Sequence, residues 1–293
     1  MKHQPWIFTV LLLMLSACSL PVADQPTPLP PTVEATISPP ATESATAPTT
    51  APISSTDIPV SQLPSGALMI VTLGDSLTQG DGDDAELGGY PQRLQKRIET
   101  QRPGTQTFNF GKSGWTSSDV LNGVNGETAE LPQALAAKPN IAIIWIGSND
   151  LWYLYEYGPE PMTAEAEQQD LATFETNIDS MLRQLTESGA KVFISLLDDQ
   201  SKRPVVANPP NPAEPAFTAT SADDLARMSV HVTALNDIIK KKAAEYNTVP
   251  VDFYHTDIFT NPTTLADDGN HPNSAGYEII TQVWFAAIEP YLK

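Results

Sequence analysis

The stretch Ala67-Leu68-Met69-Ile70-Val71-Thr72-Leu73-Gly74-Asp75-Ser76-Leu77 decides the fold. Its apolar run is nearly continuous, as expected of a strand buried on both faces in a parallel sheet. The strand ends at a glycine, and a serine stands just beyond it. A serine hydroxyl is a poor nucleophile unless a base takes its proton. A catalytic reading of Ser76 therefore requires a histidine, an orienting carboxylate and oxyanion donors elsewhere in the chain. The pattern is not the G-x-S-x-G elbow of α/β-hydrolases, because Thr78 stands where the second glycine would be. Asp75 is read as holding its own loop by local hydrogen bonds.

Three further blocks supply the missing groups. Asn109-Phe110-Gly111 and Gly147-Ser148-Asn149-Asp150 each follow an apolar run, and Asp268-Gly269-Asn270-His271-Pro272-Asn273 stands near the C-terminus. Asp268 lies three residues before His271, close enough to turn back onto its ring. Pro272 restricts His271 to extended backbone, and Asn273 or Ser274 is suited to cap a following helix. His231 and His255 are read as helix-surface and loop residues without partners of matching pattern, and His3 belongs to the leader.

With these four blocks in this order, the sequence resembles the SGNH or GDSL-type hydrolase superfamily over most of residues 67–277. The resemblance assigns Ser76 as nucleophile, His271 as base and Asp268 as the acid of the triad. It assigns the oxyanion hole to the Ser76 N–H, the Gly111 N–H and the Asn149 side chain. A glycine allows close approach of a backbone N–H, and an asparagine amide donates without adding charge. The implied chemistry is ester hydrolysis through an acyl-enzyme, with no metal and no organic cofactor. Acetylated glycan, lysophospholipid and short-chain ester or thioester all remain open as substrates, and a surface tether tilts the reading toward glycans. Two alternatives are a non-catalytic glycan-binding envelope protein of the same fold and an acyltransferase.

Outward from this stretch, apolar runs alternate with helical patterns. Strands are expected at 67–73, 106–110, 141–146, 191–197 and 249–253, and helices near 90–101, within 117–137, and near 163–188, 223–246 and 274–290. Alternation of this kind means an α/β fold with a parallel sheet covered on both faces. Five such strands match the flavodoxin-like three-layer sandwich that the resemblance implies, with the site at the carboxyl ends of the strands. In the last helix Tyr277, Ile280, Val283, Trp284, Ala287 and Ile288 fall on one stripe, so Trp284 is read as core. Leu151-Trp152-Tyr153-Leu154-Tyr155 lies beside the site, and the proline-rich stretch 198–221 leaves a strand on the same side. Two lookalikes are set aside. Gly111-Lys112-Ser113 lacks the earlier glycine of a P-loop, and Asp81-Gly82-Asp83-Asp84 lacks EF-hand spacing and is read as a solvated acidic loop.

Residues 1–18 carry a basic start, an apolar run of about ten residues and the end Leu15-Ser16-Ala17-Cys18. That run is too short for a bilayer about 30 Å thick. It resembles a lipoprotein signal peptide with Cys18 as the lipidated residue, which implies an anchor in a bacterial membrane or envelope and an extracytoplasmic location. Residues 19–65 are dominated by Pro, Thr, Ala and Ser and are read as a disordered stalk. In polyproline II form such a stalk reaches about 140 Å at about 3.1 Å per residue. The hydrolase domain is then 66–293, read as a monomer. A net charge of −19, from 35 acidic against 16 basic residues, disfavours nucleic acid as a partner, because no basic field attracts phosphates. Cys18 is the lone cysteine, so the domain holds no disulfide.

Overall fold

The computed structural model describes residues 63–159, 161–207 and 221–293. The signal peptide, Cys18, nearly all of the stalk and the middle of the proline-rich stretch lie outside the described residues.

The strand that opened the sequence reading is β1 (Met69–Gly74), and it lies inside the sheet. β2 (Gln106–Asn109) flanks it on one side. β3 (Ile141–Trp145), β4 (Lys191–Leu196) and β5 (Val249–Asp252) follow on the other. Every pairing in the order β2-β1-β3-β4-β5 is parallel. The near-continuous apolar strands β1, β3 and β4 are buried along nearly all their length, whereas the edges are more exposed, with no buried position in β2 and only Val251 buried in β5. The chain winds toward β2 on one side of β1 and toward β3 on the other. A crevice therefore opens beyond the carboxyl ends of β1 and β3. Ser76 follows the first of these strands and Asn149 the second.

Helices cover both faces. α2 (Gly89–Glu99) packs on α9 (Ser274–Ile288), while α6 (Ala164–Glu187) packs on α3 (Ser117–Asn122) and α8 (Ala222–Glu245). Their starts follow side-chain chemistry. Thr163 caps α6, Ser221 with Asp224 and Thr116 with Asp119 form capping boxes, and Asn273 caps α9. Between sheet and α9 the rings of Trp145, Phe253 and Trp284 pack with centroids 4.2–5.9 Å apart. Trp284 is fully buried, as its place on the apolar stripe requires.

The structure departs from the sequence reading in three places. The helical material expected within 117–137 is two helices, α3 and α4 (Glu130–Ala136), because Gly123 leaves α3 at a φ of +71°. Two helices not among those expected begin directly at strand ends: the single turn α1 (Ser76–Gln79) and α5 (Ser148–Tyr157). The acidic loop is solvated only in part: Asp84 is exposed, but Asp83 is not. The Asp83 side chain is 2% exposed, accepts two hydrogen bonds from Arg93 and takes the N–H groups of Leu87 and Gly89. Asp84 meanwhile accepts from the Ser274 N–H at 2.7 Å, so the loop fastens α2 to the start of α9. Sequence spacing could exclude an EF-hand there but gave no sign of the partner ten residues on.

Candidate active site

The turn that carries Ser76 is set by Gly74. Its φ is +152°, and a Cβ there would lie 2.0 Å from the Trp145 carbonyl oxygen, so only glycine lets β1 end this close to β3. Asp75 then caps α1 with Oδ1 accepting from the Leu77 N–H at 3.0 Å, and Ser76 becomes the first residue of the helical turn. Burial pushes the Asp75 carboxyl up to about 6, against the pull of the Leu77 N–H and the charge of Arg203. Below this turn lies a residue that the sequence did not single out. Glu130 is fully buried, and its Oε2 accepts from the Gly74 N–H at 2.8 Å. Burial raises its carboxyl to about 9, so at neutral pH it is a protonated acid. Nothing in Glu130-Leu131-Pro132 distinguishes it from an ordinary helix-start glutamate; the contact depends on how α4 lies against β1.

The Asp268–His271 segment reaches the same point from the far end of the chain. His271 Nε2 is 2.9 Å from Ser76 Oγ, and its Nδ1 is 2.6 Å from Asp268 Oδ2. Asp268 Oδ1 also accepts the backbone N–H groups of Asn270 at 2.9 Å and His271 at 3.0 Å. Partial burial works to raise the Asp268 carboxyl, but the bonds from His271 and these N–H groups outweigh it and hold the group at about 2. The carboxylate is therefore ionised wherever the histidine is able to act as a base. The segment is pinned by Ala266 N–H to the His271 carbonyl at 2.8 Å and by Asn273, which caps α9 and donates to the Leu265 carbonyl.

Asn149, second residue of α5, donates one amide N–H to the Trp115 carbonyl at 2.8 Å and lines the cleft with Ser76. A carboxamide has two such donors, so one is left for a ligand. Gly111 is not brought to the cleft, contrary to expectation. Its N–H goes to Asn109 Oδ1 at 3.0 Å, and where its Cβ would be it faces Thr78 and the Gln79 backbone. The chain turns through Lys112 and Ser113 and delivers Gly114 instead, with φ +79°. Among the described residues the Gly114 N–H has no acceptor, while its carbonyl takes the Tyr153 hydroxyl at 2.8 Å. The clue was the second glycine three residues downstream, since the N–H of the glycine adjoining the strand end is taken by the Asn109 side chain.

Two more histidines have partners that the sequence reading denied them. His231 Nε2 is 2.8 Å from Asp170, and His255 Nδ1 is 2.7 Å from Asp252. His231 lines an apolar groove of about 460 Å³ between α6 and α8, which has no serine among its described lining residues. The cleft at Ser76 is smaller, about 250 Å³, and is walled by Leu77, Trp152, Tyr153, Glu156 and Arg203. α5 supplies the aromatic wall and the stretch after β4 supplies Arg203, as the positions of 151–155 and 198–221 suggested. Asp150 faces away from the cleft and accepts from the Ser117 N–H at 2.9 Å and the Ser117 hydroxyl. Burial raises its carboxyl to about 7. Among the described residues no group of three or more His, Cys, Asp or Glu side chains is arranged to hold a metal ion, and no helix is long and apolar enough to cross a membrane.

Comparison with known proteins places this geometry in context. The chain is 24% identical to a multidomain esterase of Ruminococcus flavefaciens over 248 residues, 78% of this chain and 29% of that protein. It is 25% identical to an acetylxylan esterase of Xylanibacter ruminicola over 228 residues, 76% of this chain and 43% of that protein. The chain thus spans less than half the length of these curated relatives. Among solved structures, the acetylxylan esterase Axe2 of Geobacillus stearothermophilus superposes with a TM-score of 0.51 at 20% identity, covering 76% of this chain and 95% of that one. The psychrotrophic esterase EstA of Pseudoalteromonas sp. gives 0.52 at 18% identity, with 76% and 98% covered. At such identities the superpositions establish the fold, a three-layer α/β sandwich. The family model matches residues 72–279, which take in all four sequence blocks, and by that match the chain belongs to the GDSL-like lipase/acylhydrolase family.

Proposed function

We propose that the protein is a serine ester hydrolase that removes acetyl groups from glycans through an acyl-enzyme. The observation that carries this reading is the continuous chain from Ser76 Oγ to His271 Nε2 at 2.9 Å and from His271 Nδ1 to Asp268 at 2.6 Å. Ser76 Oγ attacks the ester carbonyl as its proton passes to Nε2, and Asp268 holds the Nδ1–H and stabilises the imidazolium. The carbonyl oxygen, now negative, is received by the Ser76 N–H, the Gly114 N–H and the free amide N–H of Asn149. Collapse sends the bonding pair to the alcohol oxygen, which takes the proton from Nε2. Water then repeats the sequence on the acyl-enzyme and releases the carboxylic acid.

The acetyl preference is supported by the size of the cleft, about 250 Å³, which lies below the roughly 300 Å³ at which sites for drug-sized ligands begin. It is supported also by the relatives, two of which are named for acetylxylan. The aromatic wall of Trp152 and Tyr153 offers flat faces for a sugar ring. We also infer an extracytoplasmic location, with lipid at Cys18 anchoring a monomeric domain through the proline-rich stalk. The support is the short apolar run that ends on the lone cysteine. Uptake of a clickable fatty acid by wild type and not by Cys18→Ser tests the anchor. The activity is tested with the full chain on acetylated xylo-oligosaccharides and on p-nitrophenyl esters of increasing acyl length. Acetate release that falls steeply beyond short acyl chains is expected, whereas equal or better use of long chains would overturn the acetyl assignment.

A further inference from the structure

Arg203 is a buried cation at the wall of the cleft, with a side chain 2% exposed. Its Nε and one terminal nitrogen bind Asp198 at 2.8 and 2.6 Å, a two-point pairing that fixes the plane of the guanidinium. The other terminal nitrogen donates to Asn270 Oδ1 at 2.7 Å, and the face of the group lies 4.4 Å from the centre of the Phe259 ring. Two residues on, the Val205 N–H donates to the Gly269 carbonyl at 3.0 Å. The stretch after β4 is thus fastened at two points to the loop that carries Asp268 and His271.

This arrangement settles which way the Asn270 amide faces. Arginine carries only donors, so the atom of Asn270 turned toward it must be the oxygen. The amide nitrogen is then turned toward the reacting centre, 3.4 Å from His271 Nε2. Nε2 has to deliver a proton to the departing alcohol oxygen, which must come within about 2.6–3.2 Å of it. An oxygen at that point in the shared cleft is also within hydrogen-bond reach of the Asn270 NH₂. Asn149 and Gly114, by contrast, serve the carbonyl oxygen.

We infer that Asn270 donates a hydrogen bond to the leaving alcohol oxygen and that Arg203 is the positioning residue that aims it. The inference rests on the esterase reading and adds a group to it. As the tetrahedral intermediate collapses, the carbon–oxygen bond breaks and its electron pair moves to the alcohol oxygen. That oxygen takes its proton from Nε2, while the Asn270 N–H steadies the growing negative charge and keeps its own proton. An alkoxide needs that help. A p-nitrophenolate leaves without it.

The test compares kcat/KM of the full chain on two acetate esters that differ only in the leaving group. Ethyl acetate carries no other polar group on its alcohol for Asn270 to bind; p-nitrophenyl acetate is the partner. For Asn270→Ala the expected loss is about 10-fold on ethyl acetate, the size of one hydrogen bond made in the transition state, and under about twofold on p-nitrophenyl acetate. Arg203→Lys keeps a charge beside Asp198 but cannot hold both partners in one plane, so it is expected to show the same selective loss. Because Arg203 acts through Asn270, the double variant should be no slower than the slower single one. Equal losses on the two esters would overturn the inference, since they would mean only that His271 is displaced. No loss with Asn270→Ala would overturn it also, and this variant decides the matter if Arg203→Lys does not fold. In both cases the esterase reading would stand. A folded wild type that cleaves neither ester would instead remove the esterase reading and this inference with it.

Discussion

Two Asp-x-x-His segments in this molecule make almost the same local structure. In Asp252-Phe253-Tyr254-His255 the histidine N–H reaches Asp252 Oδ1 at 3.1 Å and Nδ1 reaches Oδ2 at 2.7 Å. In Asp268-Gly269-Asn270-His271 the corresponding distances are 3.0 and 2.6 Å. The two aspartates are almost equally exposed, at 47% and 46%. The difference lies beyond the ring. His255 is 77% exposed and rests its ring edge-on against Tyr254, whereas His271 is 19% exposed and meets Ser76 Oγ with its Nε2. A three-residue turn is therefore sufficient to build an oriented imidazole. What sets His271 apart, and on the proposed mechanism makes it a base, is the strand end that places a hydroxyl before it and the walls that leave it little exposed.

The strongest way to break this comparison is to remove each histidine. His271→Ala should lower turnover of an acetate ester by about four orders of magnitude or more, as loss of a triad base does, and His255→Ala should change it by less than about twofold. Comparable losses would mean that the dyad at the end of β5 also serves the reaction. Next in size is removal of each carboxylate. Asp268→Asn should cost about 10²- to 10⁴-fold in kcat, because the amide cannot hold the ring in the required tautomer, while Asp252→Asn should be silent.

The donors give the next effect. Asn149→Ala should lower kcat by about 10²- to 10³-fold with KM nearly unchanged, since its free N–H is aimed at charge that exists only in the transition state. A raised KM at constant kcat would make Asn149 a binding residue. The proposed oxyanion donors also show how far the sequence could be read. Ser76, Asn149, His271 and Asp268 stand at strand ends or on a local turn, where spacing alone fixes their place. The glycine donor does not. Gly111 lies at the end of the β2 run, but hydrogen bonding to Asn109 absorbs its N–H, and only the path of the following turn reveals Gly114. The sheet was legible because β1, β3 and β4 are nearly continuous apolar runs. Glu130, Arg203 and the Asp83–Arg93 pair were hidden because each depends on two segments meeting in space.

The smallest effect concerns stability and sharpens what sets the working dyad apart, namely the buried turn that presents its serine. Glu130 keeps a proton in the folded state up to about 9, whereas the unfolded chain releases it near the ordinary value of 4.5. Between these values the folded chain binds the extra proton, so its stability falls as pH rises through that window. Glu130→Gln cannot ionise and still accepts the Gly74 N–H through its amide oxygen. Its melting temperature should therefore fall less than that of wild type between pH 5 and about 9. Asp268 works in the opposite sense, its contribution being lost as pH falls from 3.8 through about 2. A wild-type curve that rises toward pH 9 would show that Glu130 is ionised in the fold.

On the proposed mechanism Ser76, and no other hydroxyl, is activated by His271. Intact-protein mass spectrometry after exposure to a fluorophosphonate tests it most directly, because that probe bonds only to an activated nucleophile. A single adduct is expected on wild type and on His255→Ala, and none on folded Ser76→Ala or His271→Ala. Equal labelling of Ser76→Ala, or no adduct on folded wild type, would contradict it.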